Sequence, residues 1–236
     1  MFRNGEPGSE PEPESRPEPG SKSERTRELI RGVALRSFRE EGFEATTMRS
    51  IATRSGVSLG NAYYYFPTKN HLVQELYLEV QEAHRAAAAP LLAGTDELAE
   101  RLAAVFRTGL SQLEPFHGFA SGFLTAMVSP SSPLNPLSAE SMPARRIVVG
   151  LFREALAGAR QSLPAEFAAR MPEALWLGYL LVCLYWAYDR SPGQRRTSRL
   201  VEQGLRLLTT ALPLLRIPVV RAPLRSLLEL IGEAGA

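Results

Sequence analysis

The chain has little of what most catalytic or metal chemistry requires. Its 236 residues include one cysteine, Cys183, and three histidines, His71, His84 and His117, spaced far apart. A single cysteine excludes an intrachain disulfide and any cysteine-built zinc site, which fits a reducing compartment. Isolated histidines give no metal-ligand spacing. No stretch alternates apolar and polar residues as a half-buried strand would. The most apolar helical stretch, Ala174 to Tyr188, falls short of the roughly 20 residues a bilayer span needs, and Glu173 and Asp189 bound it. The uncharged region from Phe116 to Ala139 is broken by Pro130, Pro133 and Pro136. The first residues lack the apolar run of a signal peptide. No Ser-His-Asp grouping, glycine-rich phosphate loop or paired-carboxylate motif is in recognisable context. The expectation is a cytoplasmic protein that is not an enzyme and holds no metal or cofactor.

What is present is uneven charge and helical periodicity. The net charge is only +2. The tail to Ser21 carries five glutamates against two arginines, a net −3, whereas residues 22–70 carry nine Lys and Arg against five Glu, a net +4. A basic segment in a nearly neutral chain points to a polyanion partner. Residues 1–20 are Pro, Glu, Gly and Ser with almost nothing to bury, and read as a disordered tail.

From residue 21 onward the pattern is helical. Ser21-x-x-Glu24 is a capping box, followed by an apolar stripe of Leu29, Ile30, Val33, Ala34 and Phe38. Gly42 ends this helix, and Phe43 is placed to fold back on its last turn. Thr47 caps a second helix with Met48, Ile51 and Ala52 inward. Gly56 supplies a turn, Ser58 caps a short third helix, and Pro67-Thr68 restarts the chain into a long fourth helix to about Ala89. A helical bundle follows: Thr95 to about Leu113, Pro115 to the Ser/Pro cluster at 129–138, Pro143 to about Ser162, then 173–189, 195–215 and Pro223 to Glu233. In the 195–215 helix, Leu200, Val201, Leu205, Leu208 and Leu212 form a stripe that Leu207, Leu214 and Leu215 widen, which suggests a second surface to cover.

The stretch from Thr46 to Leu72 reads TTMRSIATRSGVSLGNAYYYFPTKNHL. Two short helices meet at Gly56, and the small Ala52 allows their close approach. Ser58 caps the second, whose first turn is Leu59-Gly60-Asn61. This is the helix-turn-helix arrangement, whose second helix enters a major groove by its N-terminal residues. Three adjacent tyrosines cannot all face one core, since helix neighbours point about 100° apart.

The wording GVSLGNAYYYFPTK, preceded by TTMRSIA and followed by a leucine-led long helix, closely resembles the signature of the TetR family of bacterial regulators, over residues 22–90. The resemblance implies an all-α fold: a three-helix DNA-binding domain at 21–67, and a helical ligand-binding and dimerisation domain at 68–236, after the tail at 1–20. It implies a homodimer on palindromic double-stranded operator DNA, released by a small hydrophobic effector. Carried over by position, it sets Thr47, Tyr64, Tyr65 and Lys69 against phosphates, and Arg49, Gly60, Asn61 and Tyr63 near base edges, with Ser58 at the start of the recognition helix. Arg49 is open between base and phosphate. Ser50 stands where an acidic residue is usual, Asn70 and His71 follow Lys69 where one is common, and Leu59 replaces a common polar residue.

In the second domain Phe119, Phe123, Trp176, Tyr179, Cys183 and Trp186 are the candidate ligand-pocket residues. The last four share one helix face at spacings of 3, 4 and 3. A plain hydrophobic core accounts for them equally well. Asp189 ends that helix, with Arg195, Arg196 or Thr197 as its expected partner. The alternatives are a DNA-binding regulator without an effector, and an enzyme with a hydrophobic substrate pocket.

Overall fold

The computed structural model describes residues 21–130, 132–212, 214 and 217–233, so the Pro/Glu-rich tail lies outside the described residues. Every regular element among these is helical: α1 (Lys22–Glu41), α2 (Met48–Arg54), α3 (Leu59–Tyr65), α4 (Lys69–Ala93), α5 (Leu98–Leu113), α6 (His117–Val128), α7 (Met142–Ala157), α8 (Ala165–Ala168), α9 (Met171–Tyr188), α10 (Arg195–Ala211) and α11 (Pro218–Glu233). Two 3₁₀ turns, Glu114–Phe116 and Pro192–Gln194, precede α6 and α10. The all-α expectation holds.

Several boundaries differ from the sequence pattern for physical reasons. Helix α4 runs on through Pro90 to Ala93. The missing proline N–H falls in the last turn, where the buried Ala88 and Leu92 hold the helix against the core. Thr95 does not cap α5. Its hydroxyl instead accepts from the Glu97 N–H and donates to Glu100. Helix α8 is a single turn with no periodicity to betray it. The wide stripe of α10 divides between two surfaces: Val201 and Leu205 are buried in the chain's own core and Leu208 and Leu212 pack against it, while Leu200 and Leu207 are exposed.

The buried side chains form two clusters. One gathers Ile30, Val33, Ala34 and Phe38 of α1, Met48, Ile51 and Ala52 of α2, Ala62 and Phe66 of the α3 region, and Leu72 and Leu76 of α4. It also contains Leu134, from the segment between α6 and α7, with Phe123 of α6 packed against it. We call α1–α3 the head and the remainder the body. The second cluster fills the body between α4, α5, α7 and α9, with Leu102, Val105, Val148, Phe152, Phe167 and Trp176 among its most enclosed members.

Two buried charged groups of the body are matched without an ion-pair partner. Arg101 is buried, and its guanidinium donates to four carbonyls: Ala155 at 2.8 Å, Glu154 at 2.9 Å, Thr95 at 2.7 Å and Leu92. They lie at or just beyond the C-terminal ends of α4 and α7, where the helix dipoles favour a cation. Gly158 is required beside it, because a Cβ there would lie 2.2 Å from the guanidinium. At the other end of the body, burial alone would raise the Asp189 carboxylate. Hydrogen bonds from the hydroxyls and N–H groups of Ser191 and Thr197 outweigh that and hold it well below the usual carboxylate range. Of the three expected partners, Thr197 is the one engaged. The resulting corner turns α9 into α10 through Gly193 and Gln194, both at positive φ.

His84 of α4 is fully buried, with Nε2 2.8 Å from the Val105 carbonyl oxygen. Burial lowers its pKa from 6.5, against the opposing effect of that hydrogen bond. The unfolded chain therefore binds a proton that the folded chain resists. The His84 contribution to stability is complete above about pH 6.5 and is lost as pH falls through the interval below it, by at most about 1.4 kcal/mol per pH unit. Denaturant titrations at pH 7 and pH 5.5 should show this loss in the parent, and a shallower dependence in His84→Gln.

Candidate nucleic-acid interface

The head is built from short helices that cannot stand alone, so caps and turns fix them. The Thr47 hydroxyl accepts from the Ser50 N–H at 3.1 Å, and the Ser50 hydroxyl accepts from the Thr47 N–H at 3.1 Å. Ser50 thus completes the capping box at the position where an acidic residue is usual. After α2 the chain turns at Gly56, φ 67°, with the Val57 N–H donating to the Ala52 carbonyl at 3.1 Å. The Ser58 hydroxyl then accepts from the Asn61 N–H and starts α3. Ala52 and Ala62 are buried where α2 and α3 meet, which sends the remaining faces of both helices outward.

The sequence-derived DNA contacts lie largely on those outward faces. Thr47, Arg49, Ser58, Gly60 and Asn61 are exposed. Tyr64 is 79% exposed and Tyr63 46%, while Tyr65 is half-buried with its ring edge-on to Tyr64 at 5.2 Å. No atom lies within 4 Å of a Cβ built on Gly60, so this backbone can approach a partner closely.

Lys69 has another engagement. Its ammonium donates to the carbonyls of Phe43 at 2.5 Å and Thr46 at 3.0 Å, and lies 4.0 Å from the centre of the Phe43 ring. Partial burial pulls its pKa down, against the field of Glu44. It therefore ties the start of α4 to the loop between α1 and α2. Three other cations of the basic segment are matched inside the protein: Arg27 and Arg31 of α1 pair with Glu75 and Glu79 of α4, and Arg54 of α2 pairs with Glu40 and Glu41. The first two are parallel rungs, each one helical turn from the next. The i,i+4 repeat of Arg on α1 and of Glu on α4 is the sequence signal for them, and the charge count alone passed over it.

The pocket candidates do not form one group. Phe123 lies in the head's core, its ring 5.8 Å from Phe38 and 4.9 Å from Phe43. The side chain of Phe119 lies outside the described residues. Trp176, Tyr179 and Trp186 are buried in the body, and Cys183 is half-buried. Tyr179 packs against His84, Phe106 and Phe152, Trp176 lies under the Arg145 guanidinium at 4.4 Å, and Trp186 is edge-on to His117. The Trp176 Nε1 has no hydrogen-bond partner, and the Tyr179 hydroxyl makes no hydrogen bond of normal geometry, although the Cys183 thiol acts on it electrostatically. Burial pushes the Cys183 thiol up to about 12, against the opposing influence of Tyr179, so it is not a thiolate near neutral pH. No group of His, Cys, Asp and Glu among the described residues could hold a metal, and no helix among them is long and apolar enough to cross a membrane.

Comparison with known proteins agrees with this architecture. Residues 30–76 match the family model for bacterial regulatory proteins of the tetR family, and residues 101–232 match the tetracyclin repressor-like C-terminal domain. An uncharacterised HTH-type transcriptional regulator of Mycobacterium tuberculosis is 37% identical over 51 residues, 22% of this chain and 24% of that protein. The chain thus matches about a quarter of the length of this curated relative. Thermus thermophilus FadR, a TetR-family repressor solved in complex with lauroyl-CoA, is 28% identical with a TM-score of 0.56, covering 78% of this chain and 93% of its own. A TetR transcriptional regulator from Nitrosomonas europaea shares the fold at 19% identity and a TM-score of 0.59, over 78% of this chain and 97% of its own. The two family models together span the head and most of the body, and the chain belongs to the TetR family of transcriptional regulators.

Proposed function

We propose that the chain acts as a homodimeric repressor, held on a palindromic operator by α3 and released when a small hydrophobic molecule occupies the body. The observation that carries the DNA-binding part is the exposed set Arg49, Gly60, Asn61, Tyr63 and Tyr64 on two short capped helices. An Asn is suited to adenine N6/N7, an Arg to guanine O6/N7, and tyrosine hydroxyls to phosphate oxygens. One recognition helix reads too few base pairs to be selective in a genome, which argues for a pair of them.

A surface for the second copy is at hand. Leu181, Leu184, Tyr185 and Tyr188 of α9 are exposed at helical spacing, as are Leu200 and Leu207 of α10. Such contiguous apolar surface is rarely left to water. The effector reading is supported by the Trp176 Nε1, buried in the body without a hydrogen-bond partner. It is supported also by the complex of Thermus thermophilus FadR with lauroyl-CoA, which makes fatty-acyl thioesters the class to test first.

Selection of bound sequences from a random DNA pool, followed by affinity measurements on the recovered site, tests the operator assignment. Asn61→Ala should lose about 1–3 kcal/mol, mostly at one base pair. Tyr64→Phe should weaken binding to all sequences alike. Arg49→Ala should lower the salt slope by about 0.9 if Arg49 meets a phosphate, or lose specificity at one G·C pair if it meets a base. Full affinity in both Asn61→Ala and Tyr64→Phe contradicts the assignment.

Sedimentation at low micromolar concentration should show a dimer for the parent. Leu181→Arg and Leu207→Arg should give folded monomers, because 68% and 72% of these residues is exposed in one chain. A parent that is monomeric and yet binds its operator tightly contradicts the dimer.

Lauroyl-CoA should raise the melting temperature by mass action, change the emission of the two tryptophans, and release the operator. Absence of all three responses removes the acyl-thioester class.

A further inference from the structure

Apart from the DNA-facing surface and the body's interior, a cleft of about 280 Å³ lies where head and body meet. The head contributes Arg27 of α1 and the Tyr65-Phe66-Pro67 segment that ends α3, and the body contributes one face of α4 and the start of α7. Its volume is just under the roughly 300 Å³ at which small-molecule sites begin, which limits an occupant to a compact molecule.

The chemistry of the walls is unbalanced. Arg27 is the one permanent cation lining the cleft, and it is already matched: its Nε and a terminal nitrogen both donate to Oε1 of Glu75, and its guanidinium lies 4.9 Å from the centre of the Phe66 ring. The other oxygen of that carboxylate, Glu75 Oε2, is buried with no hydrogen-bond partner. A second carboxylate, Glu140, also lines the cleft and is exposed, with no partner among the described residues. The remaining polar groups do not correct the imbalance. His71 Nδ1 is 2.8 Å from the Thr68 hydroxyl, and the Gln74 amide nitrogen faces the Pro133 carbonyl and, at 3.4 Å, the Ser141 hydroxyl. Two carboxylates thus line the cleft against one committed cation, with Arg31 acting on Glu75 only through the field from outside the lining, and a buried acceptor lacks a donor. Tyr65 and Leu78 add apolar surface.

An occupant that satisfies these walls has a cationic N–H group for the carboxylates and a small apolar part for Tyr65 and Leu78. We propose that this cleft is a binding site for a small organic amine, its ammonium held between Glu75 and Glu140. The site is separate from the interior proposed for the hydrophobic effector, and it would stand if that effector reading failed.

Isothermal titration of the full-length chain with phenethylamine tests the proposal, with phenethyl alcohol and phenylacetate as neutral and anionic controls of similar size. Phenethylamine should bind saturably at one site per chain, the alcohol at least tenfold more weakly, and phenylacetate not at all. Glu140→Gln should weaken the amine at least fivefold, and the exposure of Glu140 makes this variant safe for the fold. Glu75→Gln should do the same, and if loss of the Arg27 pair destabilises that variant, Glu140→Gln decides. No amine binding, equal binding of the alcohol, or unchanged affinity in Glu140→Gln each overturns the proposal.

Discussion

The head does not complete its own core. Phe123, a residue of the body's α6, packs its ring against Phe38 and Phe43, and Leu134 from the following segment is buried in the same cluster. Other ties cross the same boundary: the Arg27–Glu75 and Arg31–Glu79 pairs, and the Lys69 ammonium on the Phe43 and Thr46 carbonyls. Magnitudes separate their roles. Exposed ion pairs contribute about 0–1 kcal/mol each, while burying a large apolar side chain contributes about 1.5–3. The apolar contacts therefore hold head to body, and the ion pairs set the register of α1 along α4. Any molecule that displaces α6 must disturb the packing under the recognition helix. For the function proposed above, this shared core is a physical route by which a body ligand would compete with an operator, provided that each favoured a different arrangement of it.

The body is built to the opposite rule, with its polar groups enclosed and mostly answered by backbone. Arg101 joins the ends of α4 and α7 without a carboxylate partner, and Asp189 turns α9 into α10 without a cation. Against that background the unmatched Trp176 Nε1 stands out, for an unmet buried donor costs about 1–3 kcal/mol. Such groups are retained more readily where a ligand supplies the missing partner.

Local features of the head were legible because local chemistry determines them. Ser21, Thr47 and Ser58 cap the helices that their positions indicate, Gly56 takes the positive φ of the turn, and Phe43 folds back on Phe38. Long-range pairing was not legible. Nothing in the spacing of Phe119 and Phe123 reveals that Phe123 belongs to the head, because a periodic stripe states that a face is buried but not against what. The same limit applies to α10, whose wide stripe signals two covered surfaces but not that Val201 and Leu205 serve the chain's own core while Leu207 is left outside. Net charge pointed to the class of partner but not to which cations are committed within the chain, for Arg27, Arg31 and Arg54 contribute to the basic segment yet face carboxylates. The cleft at the junction has no local signature at all, since its walls come from segments more than a hundred residues apart.

Native-state hydrogen exchange of Phe123→Ala against the parent tests the shared core most directly. The amides of Val33 to Phe38 in α1 and of Ile51 in α2 report on the head, and those of Val105 and Phe152 report on the body's interior. The shared core predicts that the head amides lose at least tenfold in protection, about 1.4 kcal/mol, while Val105 and Phe152 keep theirs. Unchanged protection in the head, with loss confined to the body, would contradict it.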